Sequence, residues 1–187
     1  GAGQGLRIEA MPGSQVQRYM VQFTEPYLLD TRISMNLSGY LFDRQFFDWD
    51  EQRLGGRAGL GYRVTPDMSL SATVRAEQVE ISRPRVPGVP ELDAALGQHD
   101  LFSGGLKLIQ DTRDIPFQPS QGYYFEAGYE QVFGTFDYAR FDVDFRRYFL
   151  LAERPDGSGR HVFGISNKLG FSGEDTPIFE NYFAGGF

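Results

Sequence analysis

Hydrophobicity in this chain repeats every two residues almost throughout and every 3.6 almost nowhere, which leaves little room for helix. Between Phe136 and Phe149 the pattern is cleanest. Ala139, Phe141, Val143 and Phe145 fall on one face, and Arg140, Asp142, Asp144 and Arg146 fall on the other. Side chains alternate across a strand, so this segment as a strand is greasy on one side and ionic on its reverse. Arg32 to Arg44 repeats the theme, with Ile33, Met35, Leu37, Gly39 and Leu41 opposed to Ser34, Asn36, Ser38 and Tyr40. Arg53 to Val64 sets Leu54, Ala58, Leu60 and Tyr62 against Arg53, Arg57 and Arg63, and its glycines suit a curved wall.

Gln4 to Met11, Gln17 to Glu25, Met68 to Ser82, Leu101 to Gln110, Gly122 to Phe133 and Val162 to Ser172 extend the pattern to nine predicted strands. Turn chemistry separates them: Pro12-Gly13-Ser14, Pro26 to Asp30, Thr65-Pro66-Asp67, Gly134-Thr135 and Arg154-Pro155-Asp156-Gly157. Short connections of this kind belong to an antiparallel meander. Arg83 to Asp100 is the one long connection, and within it Glu91 to Leu96 is expected to form a short helix.

The alternation alone fits two all-β architectures, a soluble sandwich with one face on the core and a transmembrane barrel with one face on lipid. Length favours the barrel: several segments reach twelve residues or more, against roughly five or six in an ordinary globular strand. An Arg-Asp-Asp-Arg row along the middle of such a strand points the same way. Low mean hydropathy and the lack of a long apolar run exclude helical spans but not strands. An aromatic content of 15%, carried by 17 Phe and 10 Tyr, fits a barrel.

With no cysteine among 187 residues, disulfide scaffolds, thiolate metal sites and thiol nucleophiles drop out. The net charge of −7 argues against nucleic acid as a partner. Gly1 to Leu6 lacks a basic n-region and an apolar h-region, so a mature or excised segment is expected. His99 and His161 are expected in connections, without metal-type spacing. Gly55 to Gly61 falls inside a strand with no helix after it, which fails the test for a phosphate loop. Asp48-Trp49-Asp50-Glu51 is read as a solvated acidic loop rather than a cation site. No enzymatic constellation emerges, and no cofactor or metal is expected.

Two segments stand apart. Asp111-Thr112-Arg113-Asp114-Ile115-Pro116-Phe117-Gln118-Pro119-Ser120-Gln121-Gly122 joins two strands. Its prolines fix the path, Gly122 can take a positive φ, and Arg113 has a carboxylate on either side. About 65 residues on, Pro177-Ile178-Phe179-Glu180-Asn181-Tyr182-Phe183-Ala184-Gly185-Gly186-Phe187 reads as a packed aromatic loop. Together these resemble the barrel domain of the BamA family of outer-membrane protein assembly factors, or bacterial surface antigens. The motif residues are Asp111, Arg113, Asp114, Pro119 and Gly122, then Phe179, Glu180, Phe183, Gly185 and Gly186. Thr24-Glu25-Pro26-Tyr27 and Gly1-Ala2-Gly3-Gln4 extend the likeness over nearly the whole chain.

The resemblance implies that residues 1–187 are a partial barrel domain: the third to eleventh strands of sixteen, and the start of the sixth extracellular loop. It also implies location in the bacterial outer membrane, folding and insertion of nascent β-barrel proteins, contact with outer-membrane lipid, and accessory lipoproteins as partners. Read from the residues themselves, the row Arg140, Asp142, Asp144 and Arg146 points to a hydrated interior, extended by Lys107, Glu126, Glu130 and Lys168, with the charges expected to neutralise one another across strands rather than to contact a transported substrate. Asn167 shares the opposite face with Phe163, Ile165, Leu169 and Phe171. The loop is expected to fold inward, with Glu180 pairing with Arg140 or Arg146. A passive or two-partner secretion pore of related barrel type and a soluble β-sandwich binding module are the competing functions.

Overall fold

The structure, a computed structural model, describes residues 3–156 and 159–181. The alternating segments form nine strands: β1 (Gly5–Met11), β2 (Val16–Glu25), β3 (Ile33–Gln45), β4 (Asp50–Thr65), β5 (Met68–Ser82), β6 (Gly97–Asp111), β7 (Gly122–Gly134), β8 (Tyr138–Glu153) and β9 (Arg160–Ser172). They lie in one sheet in the order β1 to β9, each antiparallel to its sequence neighbour. A single layer excludes the sandwich, which needs a second sheet on its inner face.

Register assigns the two faces. Asp144 of β8 sits opposite Glu126 of β7 and Lys168 of β9, while Val143 sits opposite Ala127 and Leu169. The same parity runs through the sheet, because directly opposed residues share a face. Phe102, Leu106, Leu70, Val74, Leu60, Leu37, Val21 and Ile8 thereby join Phe141 and Val143 on the apolar face, all but Val143 exposed. The charged face receives the covering elements. At one end of the sheet the β5–β6 connection, with helix α1 (Pro90–Ala94), and the 3₁₀ turn Ile178–Glu180 cover a small core. That core holds Val79, Ile81, Leu92, Ala95, Leu101, Val132, Tyr138 and Phe179.

Several sequence expectations shift. The strand pairing outlasts the apolar alternation, so β4 begins at Asp50, β6 at Gly97, and β8 runs on to Glu153. His99 and His161 therefore lie in β6 and β9, not in connections. His99 is buried, its Nε2 3.0 Å from the Ala95 carbonyl oxygen. Asp50 and Glu51 are buried strand residues rather than a solvated loop: Arg83 and Arg85 meet Asp50 at 3.1 and 2.5 Å, and Arg53 meets Glu51 at 2.5 Å. The helix is one turn at Pro90–Ala94, because Pro90 starts it where the missing N–H is not needed.

The motif between β6 and β7 is held by its own side chains. Arg113 donates from Nε and Nη2 to the two Asp111 oxygens at 2.8 and 2.7 Å and stacks over Tyr124. Asp114 accepts from the Ser120 hydroxyl and from the Ser120 and Gln121 amides. The Ser120 hydroxyl, then that amide, hold the Asp114 carboxyl well below the usual carboxylate range. Gly122 closes this reversal at φ +97°, where a Cβ would stand 2.3 Å from the Thr112 carbonyl oxygen. Gly122→Ala should accordingly lower stability by roughly 1 to 3 kcal/mol, measurable as a lower unfolding temperature in a heat-modifiability gel.

Candidate functional site

Glu180 is the centre of the most buried ionic group. Its carboxylate is 2.5 Å from Arg53 Nη1, 3.1 Å from Arg140 Nη1 and 3.4 Å from Arg75 Nη2, and it accepts the Tyr138 hydroxyl at 3.0 Å. Each arginine comes from a different strand, β4, β8 and β5, at a position where period two points the side chain to the charged face. Arg53 Nη2 also donates to the Phe179 carbonyl at 2.9 Å, which fixes the backbone of the turn as well as its side chain. A second tier neutralises the arginines. Glu77 meets Arg53 at 3.0 Å and Arg75 at 3.3 Å, and it accepts the Tyr40 hydroxyl at 2.6 Å. Glu130 meets Arg75 at 3.3 Å and accepts from Ser103 at 2.5 Å.

Burial pushes the Glu180 carboxyl up, but Arg75 and Arg53 outweigh that and hold it at about 2. An ionised carboxylate with only 5% of its residue surface exposed persists because it is fully paired. Beside it, the Phe179 ring lies 5.9 Å from both His99 and Phe136, and the Arg53 guanidinium sits over it at 5.6 Å. The arrangement is an anchor: a turn is pinned to the charged face by a triple guanidinium grip and an aromatic socket. Among the described residues no cluster of three or more His, Cys, Asp or Glu is arranged to hold a metal ion.

Of the residues singled out in the sequence, the structure joins Phe179, Glu180 and Arg140. Arg146 is not a partner of Glu180; it grips Asp144 at 2.9 and 2.5 Å lower on the same strand. Asp142 faces Gly128 across the β7–β8 ladder, and Lys107 pairs with Glu126 at 2.7 Å. Asp111, Arg113, Asp114, Pro119 and Gly122 lie at the opposite end of the sheet from Glu180, so the two motifs do not meet. Phe183, Gly185 and Gly186, with Tyr182, fall outside the described residues, as do Gly1 and Ala2. Asn167 stays exposed on the apolar face opposite Phe145, and nothing in the structure explains it.

Sequence reasoning missed Arg53, Arg75, Glu77, Tyr138 and His99 as parts of the anchor. The available signal was a pair of charges, Arg75 and Glu77, set between Val74, Ala76 and Gln78 toward the end of a strand. It missed Arg147 too, which shares the apolar face with Phe145 and Phe149. Its guanidinium sits over Tyr123 and Phe149, at 5.7 and 5.2 Å, near the end of the sheet, as an arginine does at a membrane–water boundary.

Strands of up to 16 residues in one meander, ionic on the face that receives the loops and apolar on the other, define the wall of an outer-membrane β-barrel. The Omp85 superfamily domain matches residues 1–187. The chain belongs to the Omp85 superfamily. It is similar to the outer membrane protein assembly factor BamA of Nitratidesulfovibrio vulgaris, 22% identical over 190 residues that cover 100% of this chain and 24% of the relative. It superposes on the crystal structure of BamA from Haemophilus ducreyi lacking POTRA domains 1-3 with a TM-score of 0.78 and 14% identity, covering 98% of this chain and 39% of that one. The chain thus spans about a quarter of the curated relative and two fifths of the solved one.

Proposed function

We propose that the protein containing this wall folds and inserts β-barrel proteins into the outer membrane. It would do so without enzymatic chemistry or a cofactor, by presenting a strand edge and thinning the adjacent lipid. The observation that carries this reading is the match to the Omp85 superfamily over the whole chain, with relatives from two comparisons both bearing the name BamA. In this reading the segment supplies the third to eleventh strands of a sixteen-stranded barrel, and residues 173–181 open the sixth extracellular loop. Nascent barrel proteins are the substrate, and periplasmic transport-associated domains and accessory lipoproteins are the partners. The Glu180 anchor supports it physically, because a loop held across β4, β5 and β8 fills the lumen rather than leaving an open channel.

Depletion of the full-length protein tests this. The heat-modifiable, folded forms of other outer-membrane barrels should fall several-fold together, and expression of the intact gene should restore them. Unchanged barrel levels, with loss of one secreted passenger or of an ion conductance, would replace assembly by the pore reading.

A further inference from the structure

Register sets one cation among the side chains of the apolar face. Arg147 of β8 stands opposite Tyr123 of β7 and Ile165 of β9, two residues after Phe145 and two before Phe149. Its guanidinium lies over the Tyr123 and Phe149 rings, and it forms no ion pair or hydrogen bond with another described residue. That sets it apart from Arg53, Arg75, Arg113 and Arg146, each of which grips a carboxylate. The acids of the neighbouring strand segments, Glu126, Glu130, Asp142 and Asp144, all stand on the other face, and β9 has none. Asp114 borders the same hollow as Arg147, but its oxygens are taken by Ser120 and Gln121.

A second polar side chain shares that face. Asn167 of β9 stands opposite Phe145, which places it diagonal to Arg147, about 7 to 8 Å away across the ladder. It too forms no hydrogen bond with another described residue. Around the two the face is apolar, with Phe149, Phe163 and Ile165 toward the strand ends and Val143, Phe145 and Leu169 toward the middle of the sheet. A guanidinium and an amide without protein partners are costly on such a face unless something outside the protein satisfies them. Where the face meets lipid, the anion within reach is the phosphate of a headgroup. A guanidinium fork matches phosphate oxygens, an amide adds a further donor, and one phosphate can bridge groups this far apart. Tyr123, Phe149 and Phe163 set the same level as an aromatic girdle, where hydrocarbon gives way to headgroups.

We propose that Arg147 and Asn167 together hold the phosphate of a glycerophospholipid in the leaflet at the end of the sheet away from Glu180, with its acyl chains along Val143, Phe145 and Leu169. The site rests on the reading of the apolar face as lipid-facing, and it is separate from the Glu180 anchor.

Native mass spectrometry of the full-length protein released from detergent tests it with three probes: dioctanoyl phosphatidylglycerol, dioctanoylglycerol and inorganic phosphate. The phosphatidylglycerol adduct should form well above the other two. It should fall roughly tenfold in Arg147→Gln and about threefold in Asn167→Leu. Arg63→Gln, which removes an exposed arginine from the ionic face, should leave it unchanged. Heat-modifiability of each variant verifies that the barrel has folded. An adduct unchanged in Arg147→Gln, one that falls as far in Arg63→Gln, or equal binding of dioctanoylglycerol overturns the phosphate site. Equal binding of inorganic phosphate overturns the lipid assignment, and an adduct unchanged in Asn167→Leu removes Asn167 from the site. A folded, heat-modifiable barrel without this adduct leaves the lipid-facing and assembly readings standing, so their failure and the failure of the site are distinguishable.

Discussion

Exchanging Arg53 for methionine in the full-length protein should lower its stability by about 3 to 5 kcal/mol, far more than its loss of one positive charge would suggest. Arg53 touches Glu51, Glu77 and Glu180, whose side chains are 5%, 3% and 4% exposed, so its removal leaves three buried carboxylates sharing fewer cations. Methionine keeps much of the volume, which separates the charge effect from a cavity. Glu180→Gln should do less damage, because Arg53 and Arg75 keep Glu51, Glu77 and Glu130 as partners. Urea unfolding followed by heat-modifiability ranks the two. Equal small losses would mean that water reaches the cluster and screens it.

Acid should act through the same group. Glu180 is held at about 2 in the folded state, below the ordinary 4.5, so its contribution is complete above 4.5 and is lost as pH falls from there toward 2. The shift corresponds to about 3 kcal/mol at neutral pH. In Glu180→Gln the dependence of the unfolding midpoint on pH between 4.5 and 2 should be flatter than in the parent protein.

Val143→Arg is the second large effect. Val143 lies among Phe141, Phe145, Ala127 and Leu169 on the apolar face, and an arginine near the middle of a lipid-facing strand costs about 2 to 4 kcal/mol. Asp142→Asn, one residue away, removes a charge from the ionic face opposite Gly128 and should be nearly silent. The yield of folded barrel in the outer membrane compares them. If both variants assembled equally well, the assignment of the two faces would be wrong.

The alternation made the strands, their order and their faces legible, because burial of one face fixes register to the residue. Strand ends were less legible. Asp50, Glu51 and His99 carry no apolar alternation, and their strand pairing is set by neighbours and by the cap above them. The anchor was half visible: Glu180 and Arg140 could be paired on paper because both stood in conspicuous rows. Arg53 and Arg75 could not, since their convergence depends on the lateral order of β4, β5 and β8 around a loop more than a hundred residues downstream.

The wiring of the sheet has a kinetic consequence. Every ladder joins sequence neighbours, so each hairpin closes over a connection of at most a few turns, and the entropy of closure stays small at every step. The contacts of Glu180 with Arg53 and Arg75 are the exceptions, closing loops of 127 and 105 residues. The cluster cannot form until β4, β5 and β8 have all taken their places, since a slip by one residue in any of them would turn its arginine to the other face. The cluster therefore closes after the wall is in register, and protection of residues 178–181 from proteolysis reports a finished wall in a way that no single hairpin does.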